Sequence, residues 1–359
     1  MGFGQVATAQ SVNANQLVKQ GVKSYEQQNF QKAIEYWQQA LSIYKQSGNR
    51  EHEAIVTENL ARVNQQTGQV DKAIEYWQQV IQDYKELKDF PKMGQMMTEQ
   101  AQAYSSIGQH RKAIALLCNA NIPDNNKEAD YKEPVKIQSC GEESALKIAR
   151  SNRDWQGEMT ALGSLGNAYR LQGDYNQAIE CLQTSLGDFD KKLEFDKFNP
   201  RRIEDCKLEN LVRKKKTSIT QKHRLSALNN LGNAYLSRAY LFNTFAKSAK
   251  ERGATVRKQE FIEKAMDDYK NALCRFDKIL KFDSEEQNKL FQMQALLNSI
   301  RLYYYRPENL KDNNQSKELK DFNPKKNIDK ALELLNELPK SSFKVYAVID
   351  LANLPLTPS

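Results

Sequence analysis

The sequence predicts an all-α fold: a right-handed superhelical solenoid of about six helical hairpins, interrupted by insertions. Three observations predict it. QKAIEYWQQAL at 31–41 and DKAIEYWQQVI at 71–81 are near-identical at a spacing of 40 residues, which marks an internal repeat. In 162–182, LGSLGNAYRLQGDYNQAIECL, apolar residues fall at helical spacing on both sides of Gly173-Asp174. Gly166 and Ala178 put one small residue on each helix of that pair, twelve positions apart. Two antiparallel helices can then approach closely while Leu, Tyr and Ile fill the seam. One such hairpin buries too little apolar surface to stand alone, so copies must stack.

With Gly166 as position 8 of a unit and Ala178 as position 20, the other copies follow in chain order. The first hairpin, 13–44, turns at Asn29-Phe30 and carries Leu17, Gly21 and Tyr25, then Ala33, Trp37 and Ala40. The second, 51–85, turns at Thr67-Gly68 and carries Leu60 and Ala61, then Ala73, Trp77 and Val80. Trp37 and Trp77 hold the large-residue position of the second helix and belong in the core. Phe90-Pro91 breaks the run, and Pro suits the first turn of the next helix. The third hairpin, 95–120, turns at Gly108 and carries Ala101, Tyr104, Ala113 and Leu117.

Here the period slips. Residues 122–141 are polar, contain Pro123 and Pro134, and lack helical periodicity before ESALKIAR (143–150) resumes. Ala113 to Ala178 is 65 residues rather than 40, so 25 are inserted within or just after the second helix of unit three. Gly166 to Gly232 is 66, which places about 26 extra residues around 187–213. Gly232 to Ala265 is 33 where 12 is expected, but 237–260 keep a helical pattern, so lengthened helices are expected there. A sixth unit follows, with helices at 285–305 and 328–338 around a polar connector, and 343–353 starts like another first helix. The expected organisation is therefore a disordered leader or signal-peptide remnant at 1–12 and a solenoid at 13–342. Its insertions lie near 121–142, 187–213 and 237–260, and 343–359 is the truncated start of a further repeat. An array ending half-way through a hairpin leaves an apolar face uncovered, which suggests a piece of something longer.

These residues resemble the tetratricopeptide repeat (TPR), with large–Leu–Gly–Tyr on the first helix and Ala–aromatic–Ala on the second. The 40-residue form with LGNAY at 165–169 and 231–235 resembles the repeats of kinesin light chain, of animal spindle-orientation scaffolds and of many cyanobacterial proteins. In several of the last group the array precedes a caspase-like CHAT peptidase domain. The resemblance implies a non-catalytic scaffold that binds a peptide or protein segment in a concave groove lined by the first helices. Positions 2, 5, 9 and 12 of each unit would face that groove. Position 9 is Val22, Arg62, Gln102, Asn167 and Asn233; position 5 is Val18, Glu58, Thr98, Gly163 and Asn229; position 12 is Tyr25, Gln65, Ser105, Arg170 and Leu236. An Asn amide donates to and accepts from a peptide backbone at once, and Arg62 and Arg170 suit a bidentate carboxylate. Val22, Tyr25, Arg62, Gln102, Asn167, Arg170, Asn229 and Asn233 are the candidate groove residues. The same resemblance allows an alternative, the sensor portion of a CHAT-type cysteine peptidase system whose catalytic domain is not in these residues.

Catalytic motifs are missing from the sequence. It holds no glycine-rich phosphate loop, HExxH, GxSxG or Rossmann fingerprint. His52, His110 and His223 fall on polar faces or beside turns. Cys118, Cys140, Cys181, Cys206 and Cys274 show no CxxC and no metal-ligand spacing. Buried thiols are expected, and the odd count argues against a disulfide framework. No enzyme activity, cofactor or metal is therefore expected.

No run of about 18 apolar residues offers a membrane span. Of the net charge of +8, residues 187–224 contribute +5, twelve Lys/Arg against seven Asp/Glu. That reads as one basic insertion, with Arg201-Arg202 and Arg213–Lys216, on a nearly neutral scaffold, so protein rather than nucleic acid is the expected partner. Ala7-Thr8-Ala9 looks like the end of a secretory signal without its preceding regions. As given, the chain is expected in the cytoplasm, with exported relatives.

Overall fold

The repeat folds as its spacing dictates, because each helix has a start signal, a stop signal and one apolar stripe. In the computed structural model the described residues are 3–118, 140–192, 218–280, 289–304 and 324–337. They form an all-α solenoid of antiparallel hairpins. The first unit of structure, residues 1–172, contains α1 (Phe3–Glu26), α2 (Phe30–Ser47), α3 (Arg50–Gln66), α4 (Val70–Glu86), α5 (Phe90–Ser106), α6 (His110–Leu117), α7 (Ala145–Ser151) and α8 (Trp155–Gln172). The second, residues 173–359, contains α9 (Tyr175–Lys192), α10 (Ser218–Glu251), α11 (Thr255–Leu280), α12 (Lys289–Tyr304) and α13 (Pro324–Glu337).

Side chains just outside the helices supply the starts. Asn29, Asn49, Asp89 and Ser144 accept hydrogen bonds from the backbone N–H groups of Lys32, His52, Lys92 and Lys147, which satisfies donors the first turn leaves open. Pro91 sits in the first turn of α5. The tight turn after α2 uses Gly48 at φ +67°, the left-handed region that glycine enters without steric cost.

Small residues let the helices close. Ala33, Ala73, Ala113, Ala178 and Ala265 are all fully buried. Gly21 lies under the Trp37 indole, where an added Cβ would stand 2.3 Å from Trp37 Nε1. Gly232 lies under Phe276 with 2.5 Å available. Trp37 and Trp77 are core residues, and the Trp37 N–H donates to the Val18 carbonyl at 3.4 Å. At the other end, Met293, Leu296, Leu297 and Ile300 of α12 pack on Ala331, Leu334 and Leu335 of α13.

In the third hairpin the second helix is cut in two. α6 and α7 both pack on α5 and α8, and the insertion enters between them. Its two edges are stitched by a Cys118–Cys140 disulfide, Cα to Cα 4.5 Å, and by the Gly141 N–H donating to the Cys118 carbonyl at 2.7 Å. This corrects the expectation of buried thiols. Cys118 and Cys140 are a cystine, Cys274 is also disulfide-bonded, and Cys181 is a free buried thiol. An odd count leaves one cysteine over and does not forbid pairs among the rest.

Residues 237–260 lie within α10, the following turn and α11, helices of 34 and 26 residues. α1 begins at Phe3, so helix rather than a disordered leader occupies 3–12. The core of the 121–142 insertion, the basic residues Arg201-Arg202 and Arg213–Lys216, and the half-repeat at 343–359 lie outside the described residues.

Candidate functional site

Position 9 of α3, α5 and α10 meets a neighbouring first helix, and that geometry decides what these candidate residues do. On α3, Arg62 is bracketed by two carboxylates. Its guanidinium donates to Glu58 at 3.0 and 3.1 Å, one turn back, and to Glu99 of α5 at 3.2 Å. It also stacks over the Trp77 ring at 5.4 Å. Burial alone would lower its pKa, but Glu99 and Glu58 beside it more than offset that and raise it. Arg62 is therefore engaged within the protein and is not the open carboxylate anchor the sequence suggested.

The same reach recurs one step on, where Gln102 of α5 donates to the Ser164 hydroxyl of α8 at 3.0 Å. In the second unit of structure, Asn229 of α10 donates to Gln294 of α12 at 3.3 Å. Asn298 of α12 donates to the Asn233 Oδ1 at 2.8 Å. Successive first helices are thus laced by side-chain bonds between their facing positions. The frame contained this signal: with Ala101 and Gly166 at position 8, Glu99 and Ser164 both fall at position 6. Their role was invisible without the stacking that brings position 6 beside position 9 of the previous unit.

The remaining candidates divide. Val22 on α1 is 40% exposed. Arg170 donates to Asn167 Oδ1 within α8 at 2.9 Å, and the Tyr25 hydroxyl bonds to Gln66. Gly163 faces open space, with nothing within 4 Å of an added Cβ. Gln65, Ser105, Leu236 and Thr98 serve the core instead. Gln65 accepts the Trp77 N–H at 2.9 Å, Ser105 and Leu236 are buried, and the Thr98 hydroxyl donates to the Gly94 carbonyl at 3.0 Å. Beyond those bonds the amides keep capacity. Asn229 Oδ1 is buried without a donor, although an amide oxygen offers two acceptor sites.

Among the described residues no His, Cys, Asp and Glu group is arranged to hold a metal. Burial pushes the Cys181 thiol well above its ordinary range, which leaves it un-ionised and unreactive. No helix among the described residues is long and apolar enough to cross a membrane.

Family models of the tetratricopeptide repeat match residues 22–86, 53–120 and 161–194. These stretches are tetratricopeptide repeats, and the α1–α6 and α8–α9 helices carry them. No curated protein matches the chain. Among solved structures, the nearly identical TPR-like repeats described as a kinesin light chain of Podosopora anserina are 17% identical. That alignment covers 71% of this chain and 93% of that one, at a TM-score of 0.40. Yeast Tom70 is 16% identical over 96% of this chain and 81% of its own, at a TM-score of 0.25.

Proposed function

We propose that the chain is a non-catalytic protein-interaction scaffold whose first-helix faces hold an extended segment of a partner protein. The observation that carries the reading is the row of amides on the first helices, half-buried Gln102 and Asn167 in one unit of structure and half-buried Asn233 beside buried Asn229 in the other. The half-buried amides have more donors and acceptors than their internal bonds use. A peptide backbone supplies the complementary groups in any sequence, and exposed Val22 with open Gly163 supplies apolar contact and space. Because Arg62 is neutralised by Glu58 and Glu99, the face reads backbone and neutral side chains more than acidic ones.

Panning a displayed random-peptide library on the full chain tests this. Enriched peptides should lose at least tenfold in affinity to Gln102→Ala/Asn167→Ala or to Asn229→Ala/Asn233→Ala. Enriched peptides that bind both double variants as tightly as the parent chain would contradict the groove.

The Cys118–Cys140 bond bears on location. Disulfides persist in oxidising compartments and are rare in reducing ones. With Ala7-Thr8-Ala9 at the start of α1, this favours an exported protein over a cytoplasmic one. Alkylation in intact cells before lysis decides it, since an exported chain leaves Cys118 unlabelled.

A further inference from the structure

Away from the first-helix face, the end of α2, the start of α3 and one side of α4 enclose a cleft of about 840 Å³. Its floor is carboxylate. Glu53 and Asp83 are 4% and 5% exposed, and Asp83 Oδ2 is buried with no hydrogen-bond donor. Cations stand near, but at a distance. Arg50 approaches Glu53 to 3.5 Å and Asp83 and Glu86 to 3.9 Å, and Lys45 is 4.0 Å from Glu53. None of these reaches the 2.7–3.2 Å of a formed N–H···O bond. The Arg50 side chain is 57% exposed, so it screens the site without saturating it. The lining carries Lys45 and Arg50 against Glu53, Glu75, Asp83 and Glu86, a formal charge of −2, and glutamines supply further carbonyl acceptors.

Forty residues before Asp83 stands Ile43, which packs against the core of the first hairpin, and forty after Glu53 stands Met93, which is buried. In the fourth copy the same two frame positions are Glu158 and Asp188, and there the Arg150 guanidinium bonds to Glu158 at 2.8 Å. In the second copy no arginine comes that close and Asp83 Oδ2 is buried without a donor, although desolvating a charge without a hydrogen-bonded partner is unfavourable.

We infer that this cleft is a second binding site, for the guanidinium of an arginine side chain presented by a protein partner. A guanidinium brings five donors in a planar fork, which suits Glu53 and Asp83 below and the α4 glutamines beside them. The site is separate from the first-helix face and would make the scaffold bind a basic segment at the same time as an extended one. The charged groups facing Asp83 are Lys45 of α2, Arg50 and Glu53 of α3, and Glu86 of α4. Burial, reinforced by Glu53, raises its carboxyl to about 6. Occupancy by a cation should therefore weaken as pH falls below that value.

The experiment is a calorimetric titration of the full chain, disulfides intact, with acetyl-Gly-Arg-Gly-amide at pH 7.5 and pH 5. The citrulline analogue, neutral and of the same shape, and spermidine run alongside. The variants are Asp83→Ile, after Ile43 of the first repeat, and Glu53→Met, after Met93 of the third. The arginine peptide should bind at pH 7.5 at least tenfold more tightly than the citrulline peptide. It should lose at least tenfold in either variant and weaken at pH 5, while both variants melt no lower than the parent. Equal binding of citrulline, unchanged binding in the variants, or variants that melt lower would each overturn the inference. Spermidine binding more tightly than the arginine peptide would overturn the protein side chain as occupant in favour of a free polyamine.

Discussion

Trp37 can lie flat only because residue 21 has no side chain. A methyl group there would overlap the indole, and one at Gly232 would overlap Phe276. Gly21→Ala or Gly232→Ala should therefore cost about 1–3 kcal/mol of stability, the usual range for overpacking a filled core. Gly163→Ala, in a helix with open space around it, should be neutral or stabilising by up to about 1 kcal/mol; thermal melts distinguish the three. Asp83 gives a prediction of opposite character. Its folded carboxyl titrates near 6, above the ordinary 3.8, so the native state holds the proton more tightly than the unfolded chain does. Its contribution to stability is full below about pH 4 and is lost as pH rises towards 6. Urea midpoints across pH 4–7 should fall through this window in the parent relative to Asp83→Asn. The buried alanines and tryptophans were legible in the sequence because packing repeats with the period. Arg62 was not, because its carboxylate partner Glu99 lies on the next hairpin.

At the scale of elements, α6 and α7 have eight and seven residues, too few for either to persist alone. The Cys118–Cys140 bond and the Gly141–Cys118 backbone bond let them act as one second helix despite the insertion between them. Cys118→Ser/Cys140→Ser should cost about 3 kcal/mol, the scale expected for closing a loop of this length. A melt in reductant, which also opens the Cys274 disulfide in both chains, should bring the parent and the double variant to the same midpoint, whereas without reductant the parent melts higher. Spacing located the insertion, but the pairing rests on proximity in space, which cysteine counting does not reveal. In the long α10–α11 hairpin, Arg238 grips buried Asp268 with two bonds of 2.8 Å. Arg238→Ala should cost about 3–5 kcal/mol by leaving that carboxylate buried and unpaired, whereas Arg238→Ala/Asp268→Asn should recover part of the loss.

For the whole molecule, the fold class was legible because one rule, a small residue facing a large one every 40 residues, is written several times. The proposed binding face was half legible. The frame picked positions on the first helices, yet it could not tell those that serve the core, such as Thr98 and Leu236, or an arginine already satisfied by neighbouring carboxylates from amides with spare capacity. A solenoid separates these duties well, since each hairpin is held by its neighbours and its exposed faces are free to specialise. The central claim is that amides of the first helices bind a partner's backbone rather than hold the fold. Its most direct test is a calorimetric Kd for a library-selected peptide on the parent chain and on Gln102→Ala/Asn167→Ala, with a thermal melt of each. The account predicts at least a tenfold loss of affinity with melting points within about 1–2 °C, a shift of about 1 kcal/mol for a chain of this size. Affinity that survives the double variant, or a loss of binding that comes only with a collapse in melting point, would contradict it.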